Sequence, residues 1–138
     1  MSPRILPERK VKAPSRRPIA TGVTALAVDV ANPSKPSVTE RLEFTVDSGA
    51  VYSVVPARIL RKLRIRAQKR ETFQLANGKT IVRWKGGALF KFREHVGFAD
   101  VIFGEKDDAT PLGALTLEAL GLSLDPIKRE LPPLKLTL

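Results

Sequence analysis

Phe44-Thr45-Val46-Asp47-Ser48-Gly49-Ala50 is the stretch on which the reading of this chain turns. Apolar and β-branched residues lead into an acid, a hydroxyl, a glycine and a small residue. A second apolar run, Val51, Val54 and Val55, follows almost at once. A carboxylate in so apolar a context is costly to bury unless it is paired or gives up its charge. On these letters alone the segment reads as a turn between strands, because Asp-Ser-Gly is ordinary turn chemistry. Whether Asp47 is kept for chemistry depends on what surrounds it.

Upstream, residues 21–30 place Val23, Leu26, Val28 and Val30 in a β-branched pattern that ends at Asn32-Pro33 and Ser34-Lys35-Pro36. This predicts a strand and a turn. Residues 38–46 alternate Val38, Leu42, Phe44 and Val46 with polar neighbours, so Asp47 stands at the end of a strand returning from a hairpin. Downstream, Pro56 opens a short helix whose apolar face is Ile59, Leu60 and Leu63. Residues 72–92 read as a long hairpin about Asn77-Gly78, the pair favoured where both central residues of a two-residue turn need positive φ. A break is expected at Gly86-Gly87, and for Trp84 the core is favoured over the base of the hairpin. Phe98 to Phe103 reads as a strand, with His95 in a surface loop before it. Leu112, Leu115, Ala119 and Leu122 then recur at helical spacing, with Gly121 at the helix end. Leu134, Leu136 and Leu138 alternate as a last strand. About seven short strands, one or two short helices and no βαβ alternation give an all-β domain, a small closed or folded-over sheet.

With 138 residues the chain is expected to hold one folded domain. Residues 1–18 combine four prolines with six basic residues against the single acid Glu8, which predicts a disordered basic arm before a domain at 19–138. The net charge of +10 raises the question of nucleic acid. It concentrates in the arm and in residues 58–70, yet none of the eight aromatic residues lies between Arg58 and Arg70 to stack on bases. A solvated basic face is therefore favoured over nucleic-acid binding. The absence of cysteine and the single histidine exclude thiol chemistry, disulfides and paired-histidine metal sites. No cofactor or metal is expected. No run approaches ~20 apolar residues and the N-terminus has no apolar signal core, so a cytoplasmic protein without membrane contact is expected.

Three features in order carry a family resemblance: strand-Asp47-Ser48-Gly49-Ala50, a Gly-containing hairpin about 30 residues on, and Leu112-Gly113 before a short helix. Together they resemble the retroviral-type (retropepsin-like) aspartic proteases, above all the small single-domain proteins of bacteria and archaea. The likeness covers about residues 20–138. It implies a closed β-barrel of the acid protease fold and an obligate homodimer, in which Asp47 meets its own copy to make a peptide-hydrolysing dyad. By the same resemblance Ser48 braces the two loops across the two-fold axis. Gly49 admits substrate backbone, and Ala50 is small enough for the loop to turn beneath the dyad. Asn77, Gly78 and Lys79 form the flap over a peptide or protein substrate, and Leu112 and Gly113 pack under the loop.

Two departures from the family pattern stand out. The acid that follows the motif and its arginine partner are replaced by Val51 and Ala114, and Pro111 stands where an aliphatic residue is usual. Both members of the charged pair are missing together, so no buried charge is left alone. Val51 and Ala114 are then expected within van der Waals reach of each other. A catalytically idle peptide-binding dimer of the same fold and a basic nucleic-acid-binding β-barrel remain the rival readings.

Overall fold

The computed structural model describes residues 24–122. The basic arm, the start of the first expected strand and the expected C-terminal strand lie outside the described residues. Strand β1 (Thr24–Asn32) buries Val28 and Val30 and turns through Pro33 and Ser34 into β2 (Lys35–Val46). The Asn32 side-chain oxygen closes this turn by accepting from the Ser34 N–H at 2.9 Å. The strands pair antiparallel, Thr24 opposite Val46 and Asp29 opposite Arg41. Alternation along β2 buries Phe44 and Val46, which leaves Thr45 and Asp47 exposed.

β3 (Ser53–Pro56) leads directly into helix α1 (Ala57–Lys62). Proline suits this junction because its preset φ, −52° here, is allowed both at the end of a strand and at the entry to a helix. Ile59 and Leu60 are buried while Arg58 and Arg61 face solvent. β4 (Lys69–Gln74), β5 (Thr80–Phe92) and β6 (His95–Gly104) form a meander. It is followed by a two-residue strand β7 (Pro111–Leu112) and helix α2 (Ala114–Leu120). The sheet runs β3-β6-β5-β1-β2-β7, with β4 paired to β5. The β3–β6 and β2–β7 pairs are parallel and the others antiparallel. Phe44 and Phe90 meet edge to face, ring centroids 6.3 Å apart, in a core that also holds Leu60, Val101, Leu112 and Leu117.

The chain is thus mostly β with two short helices, but the sheet is open rather than a closed barrel. Its two ends, β3 and β7, lie against each other without a ladder. β7 is only two residues long, and the link is a side-chain bond: the Gly113 N–H donates to the Ser53 hydroxyl at 2.9 Å.

Other expectations are corrected in detail. β5 passes through Gly86-Gly87 without a break. A Cβ on Gly86 would stand 2.6 Å from the Arg66 carbonyl oxygen, and one on Gly87 would stand 2.5 Å from the Phe98 ring. These glycines admit close neighbours; they do not turn the chain. Trp84 is not core: it is 47% exposed, because the β4–β5 hairpin projects past the packed sheet. β6 begins at His95, whose ring stacks on Phe92 at 6.5 Å, so this histidine is in a strand and not a loop. Leu112 belongs to β7, and the helix starts only at Ala114. Among the described residues no helix is long and apolar enough to cross a membrane.

Candidate active site

Asp47 leaves β2 still attached to the sheet, its N–H donating to the Leu112 carbonyl at 3.0 Å. The chain then turns tightly. The Ala50 N–H donates to the Asp47 carbonyl at 3.0 Å, and the Gly49 N–H donates to Asp47 Oδ1 at 2.9 Å. This is the local side-chain-to-backbone bonding that aspartate supplies in turns. Asp47 Oδ2 has no hydrogen-bond partner among the described residues, and Asp47, Ser48 and Gly49 are all exposed.

What fixes this turn is the start of α2. The first N–H groups of any helix lack intrahelical acceptors, and α2 has no side-chain cap. The loop carbonyls fill that role: Ala114 N–H donates to Ala50 O at 2.8 Å and Leu115 N–H to Val51 O at 3.1 Å. The acid loop and the helix therefore satisfy each other's backbone. Gly113 is required where they cross, since a Cβ there would stand 2.6 Å from the Tyr52 carbonyl and 2.8 Å from that of Val51. Leu112 is fully buried beneath. The expected contact between Val51 and Ala114 is not among these bonds, which join Ala114 to Ala50 and Leu115 to Val51, and the Val51 side chain is 55% exposed.

Ser53 and Thr116 were not anticipated. Both are fully buried, and their hydroxyl oxygens lie 2.5 Å apart. Ser53 Oγ also accepts the Gly113 N–H, so one hydroxyl ties β3, β7 and α2 together beneath the loop. No local pattern marks these residues, because the contacts span about 60 positions. Tyr52 is the second omission. Its ring meets Phe73 of β4 edge to face at 5.7 Å, and the Lys85 ammonium lies 5.0 Å from its centre. Lys85 is itself held by Glu71 and Asp100, each at 3.2 Å.

The hairpin is present, but its turn differs from the two-residue form. Gly78 N–H donates to Leu75 O at 2.9 Å and Leu75 N–H to Lys79 O at 2.7 Å. Only Gly78 has a positive φ, 88°; Asn77 does not. This is a three-residue loop with a left-handed glycine, and the Asn77 side chain caps it by accepting the Lys79 N–H at 2.9 Å. Among the described residues, no hydrogen bond joins Asn77, Gly78 or Lys79 to the Asp47 loop. The hairpin reaches the loop segment lower down, where Phe73 meets Tyr52. No group of three His, Asp or Glu side chains placed to hold a metal occurs among the described residues. No family model matches this sequence, and a search of curated proteins gave no match.

Proposed function

We propose that the chain is one subunit of a homodimeric aspartic endopeptidase, with Asp47 from each copy forming the catalytic dyad. The observation that carries this reading is an exposed aspartate on a loop clamped by α2 and β7, with one carboxylate oxygen held and the other open. A plain surface turn needs no such support. Val51, 55% exposed, and Leu115, 37% exposed, sit beside this loop and are apolar area that a second copy would cover.

Two carboxylates about 3 Å apart at an effective dielectric near 20 repel by roughly 5 kcal/mol. The pair therefore shares one proton and titrates as a unit. The ionised member takes a proton from a water held between the two, and that water attacks the peptide carbonyl. The protonated member polarises the carbonyl oxygen, and the leaving nitrogen receives its proton in the second step. Ser48 would brace the two loops across the axis. The hairpin around Asn77, Gly78 and Lys79 would close over the bound peptide and exclude water.

The test incubates the full-length protein with an unfolded protein substrate at acidic and neutral pH, beside Asp47→Asn, with sedimentation to establish the oligomer. Cleavage by the parent dimer, lost in the variant, is expected. Cleavage that survives the substitution would sink the dyad. A dimer that cleaves nothing would leave peptide binding as the function of the fold.

A further inference from the structure

A second concavity lies away from Asp47. An open groove of about 1220 Å³ is bounded by α1, the connection that follows it, the end of β6 and the loop beyond. It exceeds the ~300–1,000 Å³ of pockets that hold a small molecule, so it suits an extended ligand. Arg58, Arg61, Arg64, Arg66 and Lys106 line it together with Trp84. None of these five cations has a carboxylate partner among the described residues. Three acids also line the groove: Asp108 and Glu105 are already taken by Arg83, at 2.8 and 3.5 Å, and Asp107 has no cation partner among the described residues, so the five free cations face one free carboxylate.

The sequence has no aromatic within the basic segment; the fold supplies one from β5. Trp84 is 47% exposed, and the Arg70 guanidinium lies 5.6 Å from its ring centre. Arg64 adds a second sign. It sits just past α1 at φ 61°, a left-handed conformation unfavourable for an arginine, and Asn32 holds it there through the carbonyls of Leu63 and Arg64 at 3.2 and 3.0 Å. Strain of this kind persists where the surrounding structure enforces it.

We propose that this groove binds single-stranded nucleic acid, its phosphates against these five cations and one base stacked on Trp84. The charge complements a polyanion. The exposed indole selects among polyanions, since every base has a flat face and an acidic peptide has none. A membrane surface cannot enter a concave groove. The site is separate from the acid loop: none of residues 47–52 lines the groove.

Trp84 is the single tryptophan of the chain, so its emission reports on the groove alone. The full-length protein is titrated with an oligothymidylate of about 20 nucleotides, reading probe anisotropy and tryptophan emission. Binding and quenching are expected on one curve. Four or five phosphate contacts give a log–log salt slope of about −3, or about 60-fold weaker binding at 200 mM than at 50 mM salt. Trp84→Ala should weaken binding roughly 5- to 150-fold, with Trp84→Phe recovering most of it. The double variant Arg58→Ala/Arg61→Ala should flatten the slope by about 1.4. These side chains are solvent-exposed, and circular dichroism checks that each variant folds. Asp47→Asn should bind as the parent does. Three results overturn the proposal: no binding at low salt; equal affinity for polyglutamate; or binding with unchanged emission that survives both sets of substitutions, which would place it on the basic arm.

Discussion

Helices α1 and α2 are close to the same length and end by the same device, yet they do opposite work. In each, the last turn closes by a backbone bond from a residue just past the end: Ile65 N–H to Leu60 O and Leu122 N–H to Leu117 O, both 2.9 Å. The left-handed residue between is Arg64 in one and Gly121, φ 72°, in the other. At their starts they diverge further. α1 follows Pro56 and shows arginines to solvent, whereas the first donors of α2 are consumed by the acid loop. The difference separates an anchor from a charge carrier. α2 is built into the support of Asp47, and α1 leaves its surface free for a ligand.

The largest expected effect tests the anchor. Gly113→Ala puts a methyl group against the Tyr52 backbone, 2.6 Å away, and should cost about 3 kcal/mol in urea unfolding together with any peptidase activity. The matching change at α1, Pro56→Ala, should cost less than about 1 kcal/mol. Equal costs would erase the distinction between the two helix starts. Next comes Ser53→Ala, which leaves the buried Gly113 N–H without its acceptor and should cost about 1–3 kcal/mol. Combined with Thr116→Val it should cost less than the sum of the single changes, because the two hydroxyls share one bond.

The helix ends sharpen the comparison more finely. Gly121→Ala should destabilise by about 1 kcal/mol, and Arg64→Gly should stabilise by up to about 1 kcal/mol, both read from the urea midpoint at constant slope. If Arg64→Gly destabilises, the left-handed arginine is not strained and its contrast with Gly121 fails. The smallest effect lies outside both helices. The hydrogen bond from Arg41 lowers the Asp29 carboxyl below its ordinary 3.8, against the opposing effect of burial. A lowered folded value stabilises the fold above pH 3.8, and this is lost as pH falls through the folded value. The Arg41 side chain is mostly solvent-exposed and shields the pair poorly from salt, so Asp29→Asn should remove only a slight, salt-screened part of the acid sensitivity. Thermal melts between neutral pH and pH 3 check this and define the range in which an acidic cleavage assay still uses folded protein.

Legibility in the sequence followed the range of the interactions. The β1–β2 hairpin, the place of Asp47 at the end of β2, the helix after Pro56 and the glycine stop at Gly121 all rest on neighbours within a few residues, and each was readable. Asn77-Gly78 announced a hairpin, but a bond from Leu75 to Lys79 decided which turn it makes. Gly86 and Gly87 misled because a glycine that admits a neighbour and one that turns the chain look the same in a sequence. Ser53, Thr116 and Tyr52 were silent, since their partners lie far along the chain. Trp84 was misplaced for the same reason: only the fold shows that the hairpin stem overhangs the arginines.

The clamp on the acid loop also has a place in time. Gly113 follows Ser53 by 60 positions, so a ribosome adding roughly 5–20 residues per second delivers the loop several seconds before the segment that shapes it. Until Pro111 and Leu112 emerge, the edge of β2 beside Asp47 has no strand to pair with. A nascent chain stopped before Pro111 would hold the first hairpin with its aspartate unshaped. The carboxylate proposed to cut peptides is set in place only when nearly the whole domain has left the ribosome.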